Sequence, residues 1–325
     1  MHTFVTGGNG FVGSWLVDRL LNDNHHVDLL LRRPELHTKK HPNLNVMKGD
    51  ITDPSSLQQI DRKTDVVFHL AGLVAYKKKD RAQMDKVNVQ GTKNIVEICK
   101  THKIKKLIHM SSVCAVGVSF NGKSPLTEKS DYNIRDLNFG YFETKRLAEE
   151  YVIEQCSKGL LDASIINPST IYGAGDAEKG SRSVQLKVAK GKFPFYTNGG
   201  VNIIGVREVV DCLIKAVDLG KNGERYIVAG ENITIKKLFT SIAEFADQKP
   251  PHILLPNFIL KFLGVIGDIL ASFGKSFPIS SENAKISTFY HWFDSTKAQK
   301  EFGLAPLPAT TYIKDSVDWV IENKL

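Results

Sequence analysis

Cysteine is scarce. Four residues, Cys99, Cys114, Cys156 and Cys212, are scattered through 325 positions with no C-x-x-C pair. That argues against a disulfide framework or a cysteine zinc site, and for reduced thiols of a cytoplasmic protein. The ten histidines contain no H-E-x-x-H pattern, so no metal site is expected. No apolar segment follows a charged N-terminus, so no secretory signal is expected either. Internal repeats and low-complexity linkers are missing. Long apolar runs are nearly so. The one candidate, residues 253–273, is broken by Pro256, Lys261 and Asp268, whereas a membrane span wants roughly twenty uninterrupted apolar residues. A buried or lid-forming amphipathic helix is the preferred reading, with membrane-surface contact the lesser alternative.

Acidic residues are outnumbered, 35 against 43 basic ones, for a formal net charge of +8. Small basic clusters occur at Arg32-Arg33, Lys39-Lys40, Lys77-Lys78-Lys79 and residues 103–106. Most read as solvated loops and helix ends. No aromatic-interleaved basic motif accompanies them, so nucleic acid is not an expected partner. A basic balance does suit an anionic small ligand.

What is present begins at the N-terminus. Phe4, Val5 and Thr6 favour a strand. Gly7, Gly10 and Gly13 then follow at the spacing G-x-x-G-x-x-G. A helix-length apolar stretch runs from Phe11 and Val12 through Trp15, Leu16, Val17, Leu20 and Leu21. Strand, glycine turn and helix in this order form a pyrophosphate site. Glycine lets the backbone turn sharply and approach a ligand, and the helix N-terminus offers free N–H groups at its positive end.

Strands and helices alternate through the first half. Strands are expected at His26–Leu31, Leu44–Lys48, 65–70, Lys106–Met110 and 163–167, with long helices at 81–100 and 137–156. Repeated units of this kind imply an α/β fold with a doubly wound parallel sheet, covered by helices on both faces. Residues 1–167 would form a dinucleotide-binding domain. After Pro168 glycines cluster, at Gly173, Gly175, Gly180, Gly191, Gly199 and Gly200. Residues 168–325 would form a smaller substrate lobe, with segments returning to the main sheet. A strand is expected at 225–229 and helices at 235–247 and 312–323.

Tyr141 and Lys145 lie four residues apart on an expected helix, so they share a face. A nearby ammonium stabilises phenolate and lowers the tyrosine pKa, which suits proton exchange with an alcohol or ketone. The strand Lys106–Met110 ends in Ser111-Ser112. Ligands of such sheets bind at the carboxyl ends of the strands, where a serine hydroxyl can steady a substrate oxygen.

With these landmarks the chain resembles the extended short-chain dehydrogenase/reductase superfamily, the NAD-dependent epimerase/dehydratase family, over nearly its whole length. The resemblance is carried by residues 6–13, Gly49-Asp50-Ile51-Thr52-Asp53, residues 65–72, Asn88-Val89-Gln90-Gly91-Thr92, Ser111-Ser112, Tyr141 with Lys145, and residues 167–173. Asp294-Ser295-Thr296-Lys297-Ala298 before Phe302-Gly303 adds to it. Within the family the chain is similar to dihydroflavonol-reductase-like and hopanoid-associated sugar-epimerase-like proteins.

The resemblance implies a Rossmann fold and a set of roles. Ser112 would hold the substrate oxygen, and Tyr141 would be the proton donor or acceptor. Lys145 would bind the nicotinamide ribose, and Asn88 would support the catalytic architecture. Gly7, Gly10, Phe11, Val12 and Gly13 would cradle the pyrophosphate. Asp50 and Ile51 would line the adenine pocket, and Leu70, Ala71 and Gly72 would pass under the cofactor. Ser111 would be among the cofactor-binding residues, and Pro168 would border the nicotinamide. Asn167 replaces an arginine common before this proline in sugar-nucleotide enzymes. No Thr-Asp-Glu set follows Ser112, which argues against dehydration. A homodimer through the two long helices is the family expectation.

Cofactor choice follows from the end of the second strand. An acid there binds the ribose 2′-hydroxyl of NAD, and an arginine accommodates a 2′-phosphate. Here His26–Leu31 runs into Arg32 and Arg33, and Asp28 lies inside the strand. NADP is expected, with NAD the alternative. The leading expectation is an NADP-dependent reductase of a small-molecule ketone or aldehyde. A nucleotide-sugar epimerase would need a second anion site, for which Arg182, Lys187, Lys192 and Arg207 are candidates. A cofactor-sensing protein without catalysis is the third reading.

Overall fold

The computed structural model describes residues 1–76, 78–176, 182–275, 277 and 279–325; Lys77 and Gly180 fall outside the described residues. The first half runs β1 (His2–Thr6), α1 (Phe11–Asn22), β2 (His26–Leu31), β3 (Leu44–Lys48), α2 (Pro54–Leu57) and β4 (Val66–His69). It continues with α3 (Arg81–Met84), α4 (Gly91–His102), β5 (Lys106–Met110), α5 (Gly140–Ser157) and β6 (Ala163–Pro168). β1, β4, β5 and β6 are buried almost throughout, as parallel strands between two helical layers must be.

The second half runs β7 (Thr170–Tyr172), α6 (Ser183–Ala189), β8 (Phe195–Tyr196), β9 (Gly200–Gly205), α7 (Val206–Leu219), β10 (Arg225–Val228), β11 (Glu231–Thr234) and α8 (Ile235–Phe245). β12 (Ile253–Leu254), α9 (Asn257–Ser272), α10 (Ser281–Ile286), β13 (Tyr290–His291), α11 (Thr296–Phe302) and α12 (Ala309–Glu322) complete the described elements.

Seven strands form one parallel sheet in the order β10-β6-β5-β4-β1-β2-β3. The expected doubly wound α/β sheet is therefore present. β10 joins it from the second half, so chain beyond Pro168 does return to the main sheet. The strand order reverses at β1, between β4 and β2, which opens a crevice at the carboxyl ends of these strands. One face of the sheet is covered by a core including Leu16, Leu20, Val209, Leu213 and Phe302. The other face packs Ile95, Ile98 and Val152 against Phe4, Val67 and Leu107. A separate core, with Ile203, Leu238, Ile242, Tyr312 and Ile313, holds the second lobe around β9.

Three sequence expectations need correction. The helix expected at 81–100 is interrupted: a π-helical segment, Asp85–Gln90, separates α3 from α4 and turns Asn88 inward. Such π segments place one residue off the regular helical register and often mark functional sites. The helix expected from 137 starts at Gly140 instead, because Asn138 adopts a left-handed conformation (φ 48°) and Phe139 is extended. In the stretch 253–273, Pro256 precedes the helix, and Ile253 and Leu254 form a strand paired with β8.

Candidate active site

The glycine turn after β1 is fixed by close packing. Gly7 has φ +73°, and a Cβ there would lie 2.6 Å from the Ala71 backbone N. A Cβ on Gly13 would lie 2.1 Å from the Gly7 carbonyl oxygen. α1 has Gly10 as its N-cap, with no side-chain cap and no acid in its first turn, so its free N–H groups and positive end face an anion-ready crevice. A cleft of about 750 Å³ opens there. Its wall includes Gly7, Gly10, Arg32, Arg33, Asp50, Ile51, Leu70, Ala71 and Gly72. These nine expected cofactor residues thus share one cavity.

Other expected cofactor residues lie differently. The Val12 and Gly13 positions are buried beneath the turn, and Phe11 turns toward Gly173 and Gly175. Ser111 is buried against Glu149. Pro168 closes the end of β6 beside Val228. Asp28 is buried, accepting from Asn45 Nδ2 at 2.8 Å and paired with His2 Nε2 at 2.8 Å, so it is turned away from the cleft. Arg32 and Arg33 are exposed at the cleft rim, and among the described residues neither guanidinium is held in an ion pair.

The second group of residues converges beside Gly72. A Cβ at Gly72 would sit 3.3 Å from Lys145 Nζ and 3.4 Å from Asn88 Oδ1. Asn88 accepts from the Leu73 N–H at 2.7 Å and donates to the Leu73 carbonyl at 2.9 Å and to Thr144 Oγ1 at 3.0 Å. It therefore ties the loop after β4 to α5. Ser112 accepts from the Cys114 N–H at 3.2 Å and caps a short turn, Val113–Ala115. Its hydroxyl also lies toward the Tyr141 phenol, which it helps hold down.

The expected lowering of the Tyr141 pKa is not met. Burial pushes the phenol well above its ordinary value, and the Ser112 hydrogen bond only partly opposes this. Lys145 donates to the Met110 carbonyl at 3.0 Å instead. The Lys145 ammonium is itself held down at about 8 by burial, with Cys114 and Glu149 opposing. Behind it His69 and His109 stack, and desolvation keeps both well below the usual imidazole range.

Several neighbours went unread in the sequence. Glu149 is buried, accepts from Asn167 Nδ2 at 2.6 Å and pairs with Arg225 at 3.5 Å. Burial raises its pKa. Its spacing four residues after Lys145 was a usable signal, since Tyr141, Lys145 and Glu149 share one helical face. Tyr76 and Cys114 also border Tyr141. No local spacing announces either. Beyond Tyr76 a second cavity of about 410 Å³ is lined by Arg81, Met84, Leu137, Phe139, Asp268 and Glu282, among others.

Fold and site together define a dinucleotide-dependent enzyme of the extended short-chain dehydrogenase/reductase type. The sequence profile of the NAD dependent epimerase/dehydratase family matches residues 3–229, and the chain belongs to that family. A dihydroflavonol 4-reductase-like protein of Synechocystis sp. is 30% identical over 97% of this chain and 93% of its own. Sterol demethylase protein B of Methylococcus capsulatus is 28% identical over 99% of each. The crystal structure of gox2253 superposes with a TM-score of 0.84 at 30% identity, over 99% of this chain and 98% of that one. The protein is accordingly a nicotinamide-dinucleotide-dependent oxidoreductase-type enzyme acting on a small molecule. No helix among the described residues is long and apolar enough to cross a membrane.

Proposed function

We propose that the protein is an NADP-dependent reductase of an apolar ketone or aldehyde. The observation that carries this reading is the meeting of Ser112, Tyr141, Lys145 and Asn88 beside a cleft whose strand end presents Arg32 and Arg33 and no acid. The bound dinucleotide supplies the hydride. Tyr141 gives its proton to the carbonyl oxygen, and Ser112 donates a hydrogen bond to the same oxygen as charge develops there. A high phenol pKa keeps Tyr141 protonated until that moment. Lys145 holds the ribose, and Asn88 fixes the loop carrying Gly72. Asp50 and Ile51 would bound the adenine pocket, Leu70 and Ala71 would underlie the cofactor, and Pro168 would border the nicotinamide. Arg32 and Arg33 bind the 2′-phosphate as planar, charge-assisted donors.

Residues 1–167 carry the cofactor in this reading, and 168–325 mainly the substrate. The cavity beyond Tyr76 has Met84, Leu137 and Phe139 in its wall beside Arg81, Asp268, Glu282 and Lys285, and the first three offer contact to an apolar part of the substrate. The name of the Methylococcus relative points the same way. A homodimer through α4 and α5 and a cytoplasmic site of action complete the proposal.

Nucleotide-sugar epimerisation is the second reading, kept because the family name includes it. Its candidate anion site is weakened by two observations. Arg182 is buried, pairs with Asp176 at 3.2 Å and lies 3.4 Å over the Tyr172 ring. Arg207 stacks over Trp15 at 5.5 Å.

The deciding experiment identifies the nucleotide retained on purification, then titrates NADPH, NADH and UDP. Preference for NADPH with no UDP-induced rise in Tm is expected. Tightly retained NAD together with a UDP-induced rise would replace the reductase by the epimerase. Tyr141→Phe should abolish turnover yet keep NADPH binding; full residual turnover would remove Tyr141 from its role.

A further inference from the structure

We propose that α9 is a docking ridge for an anionic lipid surface. The inference stands independently of which reaction the site performs. Phe258, Phe262 and Phe273 are 72%, 65% and 77% exposed, and Val265 is exposed with them. Their spacing of four, three and eight residues runs down one face over the length of the helix. Ile253 and Leu254, on the adjoining strand β12, are exposed too. Exposed large apolar groups are ordinary when scattered singly; a contiguous stripe marks a contact surface.

The opposite face shows why this stripe points outward. Leu260 is buried, and Gly264 and Gly267 press against Ser281 and Ile279. Asp268 accepts from the Ser281 N–H at 3.3 Å. The inward side of α9 is thus fully engaged by the segment around α10.

Charge selects the occupant. Between positions 249 and 275 the basic side chains are Lys249, Lys261 and Lys275, all exposed. Asp268 is the one acid in that stretch, and it is turned to Ser281. A second copy docking about a twofold axis would present the same stretch, which has no outward acid to meet these lysines. An anionic headgroup layer meets the lysines favourably and receives the phenylalanines below it. A helix of sixteen residues, about 24 Å long, with its apolar stripe outward matches one lying in the plane of the interface. On its inner side the same helix lines the cavity beyond Tyr76 through Asp268, so docking would bring that cavity close to the lipid.

The test is co-sedimentation of the full chain with vesicles of phosphatidylcholine alone and of phosphatidylcholine with phosphatidylglycerol. The same is done for the Phe258→Asp/Phe262→Asp double variant. Equal cooperative thermal unfolding transitions in both proteins certify that the variant is folded. Wild type should bind the phosphatidylglycerol vesicles preferentially and more weakly as salt is raised. The variant should bind them at least about tenfold more weakly for each phenylalanine removed. Absence of vesicle binding by wild type, equal binding to both vesicles, or unchanged binding by the variant would each overturn the proposal. So would a wild-type dimer that the double variant splits, since a second copy would then cover the ridge.

Discussion

α5 and α9 invert each other. α5 buries Glu143, Thr144, Lys145, Arg146 and Glu149, whereas α9 exposes Phe258, Phe262 and Phe273. Simple partition of polar and apolar side chains would place each set on the other side. On α5 every buried charge meets partners. Arg146 pairs with Glu143 at 2.9 Å, Glu149 accepts from Asn167, and Lys145 donates to Met110. On α9 the side chains of Phe258, Phe262 and Phe273 instead lie largely open to solvent. In the proposed reading, these departures from partition lie where the molecule meets something else, a cofactor and substrate at one helix and a surface at the other.

The contrast can be broken in graded ways. The largest effect belongs to Lys145→Met, for which turnover should fall by about 10²–10⁴ fold. The same variant tests the burial of charge on stability. Burial lowers the Lys145 ammonium from 10.5 to about 8. Below about pH 8 the folded state carries a buried cation, and Lys145→Met should melt higher than wild type. Between about 8 and 10.5 the folded state binds fewer protons than the unfolded one, so wild type gains stability as pH rises. The advantage of Lys145→Met should therefore fade across that window. A difference in Tm that stays constant with pH would contradict the buried-cation account.

Next, Arg146→Met leaves Glu143 buried without its ion pair and should lower stability by about 3–5 kcal/mol in a denaturant titration. A loss under 1 kcal/mol, roughly the surface-pair range, would mean α5 is far wetter than described. On α9 the corresponding inward change is Gly267→Ala. Its Cβ would fall 1.8 Å from the Ile279 carbonyl oxygen, so overpacking should destabilise by about 1–3 kcal/mol. Smallest of all, Phe262→Ser on the outward face should change stability by no more than about 0.5 kcal/mol. A larger loss would show that the phenylalanine has an intramolecular partner in solution.

Much of this was legible before any coordinates. The glycine turn, the strands His26–Leu31, Leu44–Lys48 and Lys106–Met110, and the pairing of Tyr141 with Lys145 depend on local spacing, which a single chain displays openly. The break at Asp85–Gln90 was hidden, because a π segment preserves the apolar periodicity on either side of it. Cys114 and Tyr76 were hidden because their approach to Tyr141 is a matter of where loops land. The lowered tyrosine pKa was expected from the Lys145 charge alone. Lys145 turns instead to the Met110 carbonyl, and desolvation, which no sequence spacing encodes, raises the phenol against Ser112 alone.

The sequence by itself determined the doubly wound sheet, the pyrophosphate turn and the identities of the residues that meet at the end of β5, since these follow from periodicity, glycine and helical phase. Only the tertiary structure decided which side chains share a cleft, that Lys145 turns to Met110, that Arg182 is taken up by Asp176, and that α9 presents its phenylalanines outward. Those outcomes depend on distance and solvent exclusion between segments far apart in the chain, and neither quantity exists until the chain is packed.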